Sequence, residues 1–163
     1  MDNKYQAKLF NDKDIICWKD YMREINYLDL RMLDCLPDFL IISPPKTATT
    51  WLSKNLSCHP ELFIPKKKEL RYFSVYWKWL NVNWYLKHFQ GANHLKKGEA
   101  SPEYAILPLP IIKSIKLLIP DLKLIFLMRD PVDRAWSLAK FNLGFFYDGD
   151  MDNVPDEIYI QNQ

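Results

Sequence analysis

Two runs of apolar residues organise the chain. The first, Asp38-Phe39-Leu40-Ile41-Ile42-Ser43, lies between Pro37 and Pro44-Pro45, and so short and uninterrupted a run predicts a strand buried on both faces, the central strand of a parallel sheet. The second, Leu122 to Met128, has the same character and ends at Arg129-Asp130-Pro131. Each leads into an amphipathic stretch. Lys46-Thr47-Ala48-Thr49-Thr50 precedes one that runs on to Leu56, with hydroxyl residues suited to a helix start, and Val132 to Phe141 follows the second run. Between them Trp77, Leu80, Trp84 and His88 recur at steps of three or four, predicting a helix over Tyr76 to Phe89 that Gly91 ends. Gly98-Glu99-Ala100-Ser101-Pro102-Glu103-Tyr104 reads as a strand end turning into a helix from Pro102 to about Leu118. Strand and helix alternate, which predicts an α/β fold with a mainly parallel central sheet.

The flanks differ from this core. Ile16, Tyr21, Ile25, Leu28 and Leu33 sit at near-helical spacing before Pro37, so residues 1–37 read as an N-terminal helical extension. Residues 38–147 form the expected core, and 148–163 an acidic, loop-like tail. Inside the core, Cys58 to Ser74 reads as a connection. It carries the basic run Lys66-Lys67-Lys68, then Glu69 and the aromatics Tyr72 and Phe73.

Composition narrows the function. The chain has 163 residues, 48% of them apolar, enough for one domain with a real core. Lys and Arg number 22 against 20 Asp and Glu, a balance that excludes a general binder of nucleic acid or membrane surface, so any anion site must be local. Cys17, Cys35 and Cys58 contain no CxxC pair, which argues against a disulfide framework or structural zinc and predicts reduced, buried thiols. His59, His88 and His94 lack metal-ligand spacing, and no metal is expected. No apolar run approaches the roughly 20 residues of a membrane span, and Met1-Asp2-Asn3-Lys4 is no secretory signal, so a cytoplasmic protein is expected. With only four glycines, a phosphate site here would rely on helix-start N–H groups together with Lys, Arg, Ser and Thr.

Ligands of open parallel sheets bind beyond the C-terminal strand ends, and both apolar runs deliver polar clusters there. Lys46 to Thr50 offers a lysine, three threonines and a helix start, a set able to hold phosphate or sulfate from several directions. The plainer alternative is that the threonines cap the helix and the lysine is solvated. A P-loop NTPase is excluded, because GxxxxGK[ST] needs glycines and Ser43 to Trp51 has none. In the second cluster Ser137 lies eight residues, about two helical turns, beyond Arg129, so both could grip one anion. Arg134 could equally pair with Asp130 at i,i+4.

Taken together, Pro45-Lys46-Thr47-Ala48-Thr49-Thr50-Trp51-Leu52 and Arg129-Asp130-Pro131-Val132-Asp133-Arg134-Ala135-Trp136-Ser137 resemble the paired signature of sulfotransferases that use 3′-phosphoadenosine 5′-phosphosulfate (PAPS) as co-substrate. The resemblance covers roughly Phe39 to Phe141 and implies a three-layer, P-loop-NTPase-like fold, C-terminally short. By matched position, Lys46, Thr47, Ala48, Thr49, Thr50 and Trp51 would form the loop around the 5′-phosphosulfate, and Arg129 and Ser137 would hold the 3′-phosphate. Lys68-Glu69-Leu70-Arg71-Tyr72-Phe73 and Gly98 to Tyr104 are similar to segments of heparan sulfate N- and O-sulfotransferases and their bacterial relatives. There a Glu just ahead of an aromatic pair is the catalytic base, which implies that role for Glu69.

The residue types suit that chemistry. Sulfuryl transfer, like phosphoryl transfer, needs in-line positioning and neutralised charge, which Lys46 and a helix N-terminus supply, and the acceptor needs a general base. Glu69 among lysines should stay ionised, although an ordinary surface ion pair with Lys66 or Arg71 is the plainer alternative. Ala48 stands where the family usually has Gly, and would be strained wherever φ must be positive. Ala100 stands where heparan sulfate enzymes commonly carry Lys, so their substrate preference does not transfer. Family domains run on past the point where this chain stops, and either a shortened product or a minimal form with an incomplete nucleotide site is expected. The expectation is therefore a PAPS-dependent sulfotransferase acting on a hydroxyl or amine of a carbohydrate or small metabolite, with no nucleic-acid or membrane partner. A non-catalytic PAPS-binding remnant and an ATP-dependent kinase are the alternatives.

Overall fold

A computed structural model describes residues 30–92 and 94–146. The helices expected before residue 30 and the tail expected over 148–163 lie outside the described residues, as does Cys17. A short 3₁₀ helix, Leu30–Cys35, leads to Pro37 and into β1, Phe39–Ile42. Leu40 and Ile41 of β1 are essentially inaccessible, and β1 lies inside a parallel sheet of order β2-β3-β1-β4. The other strands are β2 (Leu62–Phe63), β3 (Lys96–Ala100) and β4 (Lys123–Phe126). Phe39 faces Gly98 on one side and Lys123 on the other, and Ile41 faces Ala100 and Ile125.

Glycine is required at position 98, because a Cβ there would overlap the ring of Phe39. Asp38 clamps the same end of the sheet: its carboxylate accepts from Lys96 Nζ at 2.8 Å and from the Lys97 N–H at 2.8 Å. Burial alone would raise its pKa, but these partners outweigh it and hold the carboxyl below its ordinary value.

Parallel neighbours need crossovers, which carry α1 (Thr49–Leu56), α2 (Val82–Leu86) and α3 (Leu109–Leu118), while α4 (Pro131–Phe146) follows β4. Alternation along β1 divides the core between the two sheet faces. Leu40 packs into an aromatic cluster with Tyr72, Phe73, Tyr85 and Phe89, whereas Phe39 and Ile41 pack with Ala100, Leu52, Leu56 and Ile125. Within the first cluster the Tyr72 and Tyr85 rings stack at 5.0 Å, and Phe73 meets Tyr85 edge-on at 5.0 Å.

Four expectations need correction. Tyr76 to Phe89 is not one helix: a 3₁₀ turn (Tyr76–Lys78), α2 and a second 3₁₀ turn (Lys87–Phe89) replace it. The break falls at Asn81, whose side chain accepts from the Trp84 N–H and caps a new helix start. Pro102 to Leu118 is likewise two pieces, a 3₁₀ helix over Pro102–Ile106 and then α3, separated at Pro108; the residue before a proline is driven out of helical geometry. Among the described residues β4 is the outermost strand, with Leu124 59% and Phe126 52% exposed, rather than a strand buried on both faces. Finally, Cys35 is buried but Cys58 is exposed, and both are free thiols.

Candidate active site

The ends of β1 and β4 are tied together by Ser43, a fully buried hydroxyl that donates to the Ile42 carbonyl and accepts from the Leu127 N–H at 2.8 Å. Beyond it the chain turns through Pro44-Pro45 into a loop with two left-handed non-glycine residues, Lys46 at φ 69° and Ala48 at φ 67°. Thr47, between them, points inward and donates its hydroxyl to the Pro44 carbonyl at 2.9 Å. Ala48 occupies the N-cap of α1, and no side chain caps that helix start. Its leading N–H groups are thus left for an outside acceptor, with the positive end of the helix dipole behind them. The alternative in which threonines cap α1 is not what forms.

The second strand end brings Arg129 to this loop, where its Nη1 donates to the Lys46 carbonyl at 3.3 Å. Asp130 caps α4 by accepting from the N–H groups of Val132 and Asp133 at 2.9 and 3.0 Å. Its bond with residue 134 is a backbone one, the Arg134 N–H donating to the Asp130 carbonyl at 2.9 Å. From the same helix the Phe141 ring lies beneath the Lys46 ammonium, 4.3 Å from Nζ to the ring centroid.

The connection after β2 supplies a third wall. Glu69 pairs with Lys68 at 3.1 Å, rather than with Lys66 or Arg71, while Arg71 Nε donates to Glu103 at 2.8 Å. Glu103 in turn raises the affinity of the Arg71 guanidinium for its proton. Glu69 and Arg71 are also left-handed, at φ 24° and 55°.

These walls enclose one cavity of about 770 Å³. It is lined by Lys46, Ala48, Thr49, Thr50 and Trp51 from the first loop, Glu69 from the connection, and Arg129 and Ser137 from the second strand end and α4. Of the residues singled out from sequence only Thr47 is not in this lining. Its side chain serves the loop itself. Several lining residues were not foreseen, among them Lys68, Ile106 and Phe141.

A further group missed from sequence lies just behind Glu69. Glu99 is 2% exposed and accepts from Ser101 Oγ at 2.7 Å, Tyr104 OH at 3.0 Å and the Leu70 N–H at 3.3 Å. Burial pushes its carboxyl pKa up, against hydroxyls of Ser101, Tyr85 and Tyr104 and the Leu70 N–H that favour the charged form. Tyr104 is raised well above 10.0, first by burial and then by the facing Glu99 charge. The signal available beforehand was the two-residue spacing of Glu99, Ser101 and Glu103.

Chemically the cavity offers three cationic side chains (Lys46, Lys68 and Arg129), hydroxyls and an uncapped helix start for anionic groups, and two carboxylates, Glu69 and Glu103, for proton transfer. Among the described residues, no three His, Cys, Asp or Glu side chains are grouped to hold a metal ion, and no helix is long and apolar enough to cross a membrane.

Comparison with known proteins places the chain among relatives. The chain is 37% identical over 113 residues to the membrane-associated sulfotransferase kil1 of Dictyostelium discoideum, a match covering 67% of this chain and 24% of that protein. It is 28% identical over 152 residues to the human bifunctional heparan sulfate N-deacetylase/N-sulfotransferase 3, covering 80% of this chain and 16% of that one. The chain thus matches no more than 24% of the length of these two relatives. A solved sulfotransferase from Alicyclobacillus acidocaldarius superimposes with a TM-score of 0.58 at 25% identity, over 78% of this chain and 59% of the other, and the fold is the P-loop-like α/β fold of that neighbour. Residues 36–161 match the sulfotransferase domain family. With this match over most of its length, the chain belongs to the sulfotransferase domain family.

Proposed function

We propose that this chain transfers a sulfuryl group from PAPS to a hydroxyl or amine of a carbohydrate or small metabolite. One observation carries the reading: Lys46 with the uncapped start of α1, the Arg129 and Ser137 pair, and the Glu69 carboxylate all line a single cavity. That donor set fits a molecule with two anionic ends. Lys46, the leading N–H groups of α1 and the hydroxyls of Thr49 and Thr50 would hold the phosphosulfate end and neutralise the charge that develops on the bridging oxygen. Arg129 and Ser137 would hold the 3′-phosphate, and Trp51, an exposed indole on the cavity wall, offers a face for the nucleotide base. The bound co-substrate supplies the sulfuryl group. Glu69 takes the proton from the attacking acceptor atom onto a carboxylate oxygen, which keeps the nucleophile's lone pair available as the new bond forms.

Calorimetric titration with adenosine 3′,5′-bisphosphate tests the binding half, and transfer of labelled sulfate from PAPS to a panel of sugar, alcohol and amine acceptors tests the catalytic half. Binding that weakens in Lys46→Ala and Arg129→Ala, with transfer in the wild type, is the expected result. No binding, or a preference for ATP with Mg²⁺, overturns the assignment. Binding with no transfer to any acceptor reduces the chain to a donor-binding protein.

A further inference from the structure

The segment carrying Glu69 is anchored through its backbone by side chains some thirty residues away. The Leu70 N–H donates to Glu99 Oε2 at 3.3 Å. The Arg71 N–H donates to Ser101 Oγ at 3.1 Å, and that hydroxyl donates to Glu99 Oε2 at 2.7 Å. The Phe73 N–H donates to the Tyr104 hydroxyl at 3.3 Å, and that hydroxyl donates to Glu99 Oε1 at 3.0 Å. One buried carboxylate therefore collects three backbone amides, one directly and two through hydroxyl relays.

The polarity of the relays depends on that carboxylate. Ser101 and Tyr104 each have one hydroxyl hydrogen, and because it is given to Glu99 their lone pairs face the amides of Arg71 and Phe73. A buried carboxylate is costly unless fully hydrogen-bonded, and left-handed non-glycine residues persist only where their surroundings fix them. Both conditions meet here, since the amides held by Glu99 and its relays belong to the stretch in which Glu69 and Arg71 take positive φ. Leu70, Tyr72 and Phe73 are buried alongside, so the carboxylate of Glu69 is turned to the cavity while its neighbours are fixed in the core.

We infer that Glu99 is the positioning residue for Glu69, acting through the backbone of residues 70, 71 and 73, a role that rests on Glu69 being the base proposed above. Glu99 itself is absent from the cavity lining; its effect is on where the base stands.

The experiment compares the full chain with Glu99→Gln, Ser101→Ala and Tyr104→Phe, reading amide hydrogen exchange, bisphosphate affinity and steady-state transfer. Glu99→Gln is expected to speed exchange at residues 70, 71 and 73 while leaving the amides of β1 unchanged. It lowers kcat by about 100-fold, the scale of a roughly 1 Å misplacement, and leaves bisphosphate affinity and donor KM within about twofold, a split that general unfolding does not produce. Ser101→Ala, which cuts one relay, speeds exchange at residue 71 with a smaller loss of kcat, and with Tyr104→Phe it carries the test if Glu99→Gln fails to fold. Exchange unchanged at these amides, or freed amides with kcat intact, overturns the role. Transfer that survives Glu69→Gln instead overturns the base itself, and the positioning role in catalysis with it; the exchange data still report the anchor separately.

Discussion

The loop after β1 and the segment carrying Glu69 both line the cavity, and each contains two left-handed non-glycine residues two positions apart, Lys46 and Ala48 in one, Glu69 and Arg71 in the other. They are held differently. The first is held largely from within, Thr47 bonding the Pro44 carbonyl three residues back and the Leu52 N–H donating to the Ala48 carbonyl as α1 begins, with Arg129 and Phe141 adding contacts at Lys46 alone. The second is fixed by Glu99, Ser101, Glu103 and Tyr104, twenty-nine to thirty-two residues on. A loop held mostly by its own residues leans on few distant groups, which would suit the donor grip proposed above. A segment hung on distant side chains takes its position from the rest of the fold, which suits a group that must be aimed at an acceptor.

The largest expected effect separates these duties. Glu69→Gln should cut kcat by about 10²–10⁴-fold, the range for loss of a general base, while calorimetry shows unchanged bisphosphate affinity. A parallel loss of affinity would break the division, because it would make the second segment part of the donor grip. Next come Lys46→Ala and Arg129→Ala. Each removes a charged hydrogen-bonding group worth about 1.5–3 kcal/mol, or about 10- to 100-fold in the bisphosphate Kd. Arg129→Ala should lean to the upper end, since its guanidinium also holds the Lys46 carbonyl.

The same contrast explains what was legible in the sequence. The first loop could be read because its determinants are contiguous: an apolar run closed by prolines, then a lysine, hydroxyls and an amphipathic helix. The strain expected at Ala48 for any positive φ is present, at 67°. The second segment yielded Glu69 by resemblance, but nothing local announces that Leu70, Arg71 and Phe73 depend on Glu99. β3 itself reads Lys-Lys-Gly-Glu-Ala, without the apolar run of an interior strand. Lys97 and Glu99 are nonetheless buried, the lysine beside Asp38 and the Leu95 carbonyl, the glutamate among hydroxyls. Polar burial of that kind is satisfied by partners far along the chain, which periodicity cannot report. β2, two residues long, is too short to carry a pattern, and β4 has an interior strand's composition but the outermost position among the described strands.

A smaller effect probes the local side. Thr47→Val keeps the buried shape and deletes the hydroxyl that satisfies the Pro44 carbonyl, so it should cost about 1 kcal/mol and lower Tm by about 2–4 °C. If the local bonds set the loop, bisphosphate affinity falls as well, whereas kcat at saturating donor does not. A Tm that drops with affinity intact would mean that the loop keeps its geometry without this bond.

The smallest effect tests whether strain in the two loops is equally free to relax. Ala48 is exposed, and no side-chain cap bond is made there, so Ala48→Gly removes a left-handed penalty of about 1–2 kcal/mol. Against that stands about 0.5–1 kcal/mol of extra unfolded-chain freedom for glycine, leaving a net gain of roughly 0.5 kcal/mol and a Tm rise of about 1–2 °C. Arg71→Gly relieves a similar backbone, at φ 55°, but also deletes the bond from Nε to Glu103. That pair is half-exposed and worth no more than about 1 kcal/mol, yet with the glycine entropy it offsets the relief. Thermal melts should therefore rise for Ala48→Gly and stay nearly unmoved for Arg71→Gly. A rise in both would show that the long-range side-chain tie at Arg71 adds little, and that Glu99 and its relays alone keep the second segment in place.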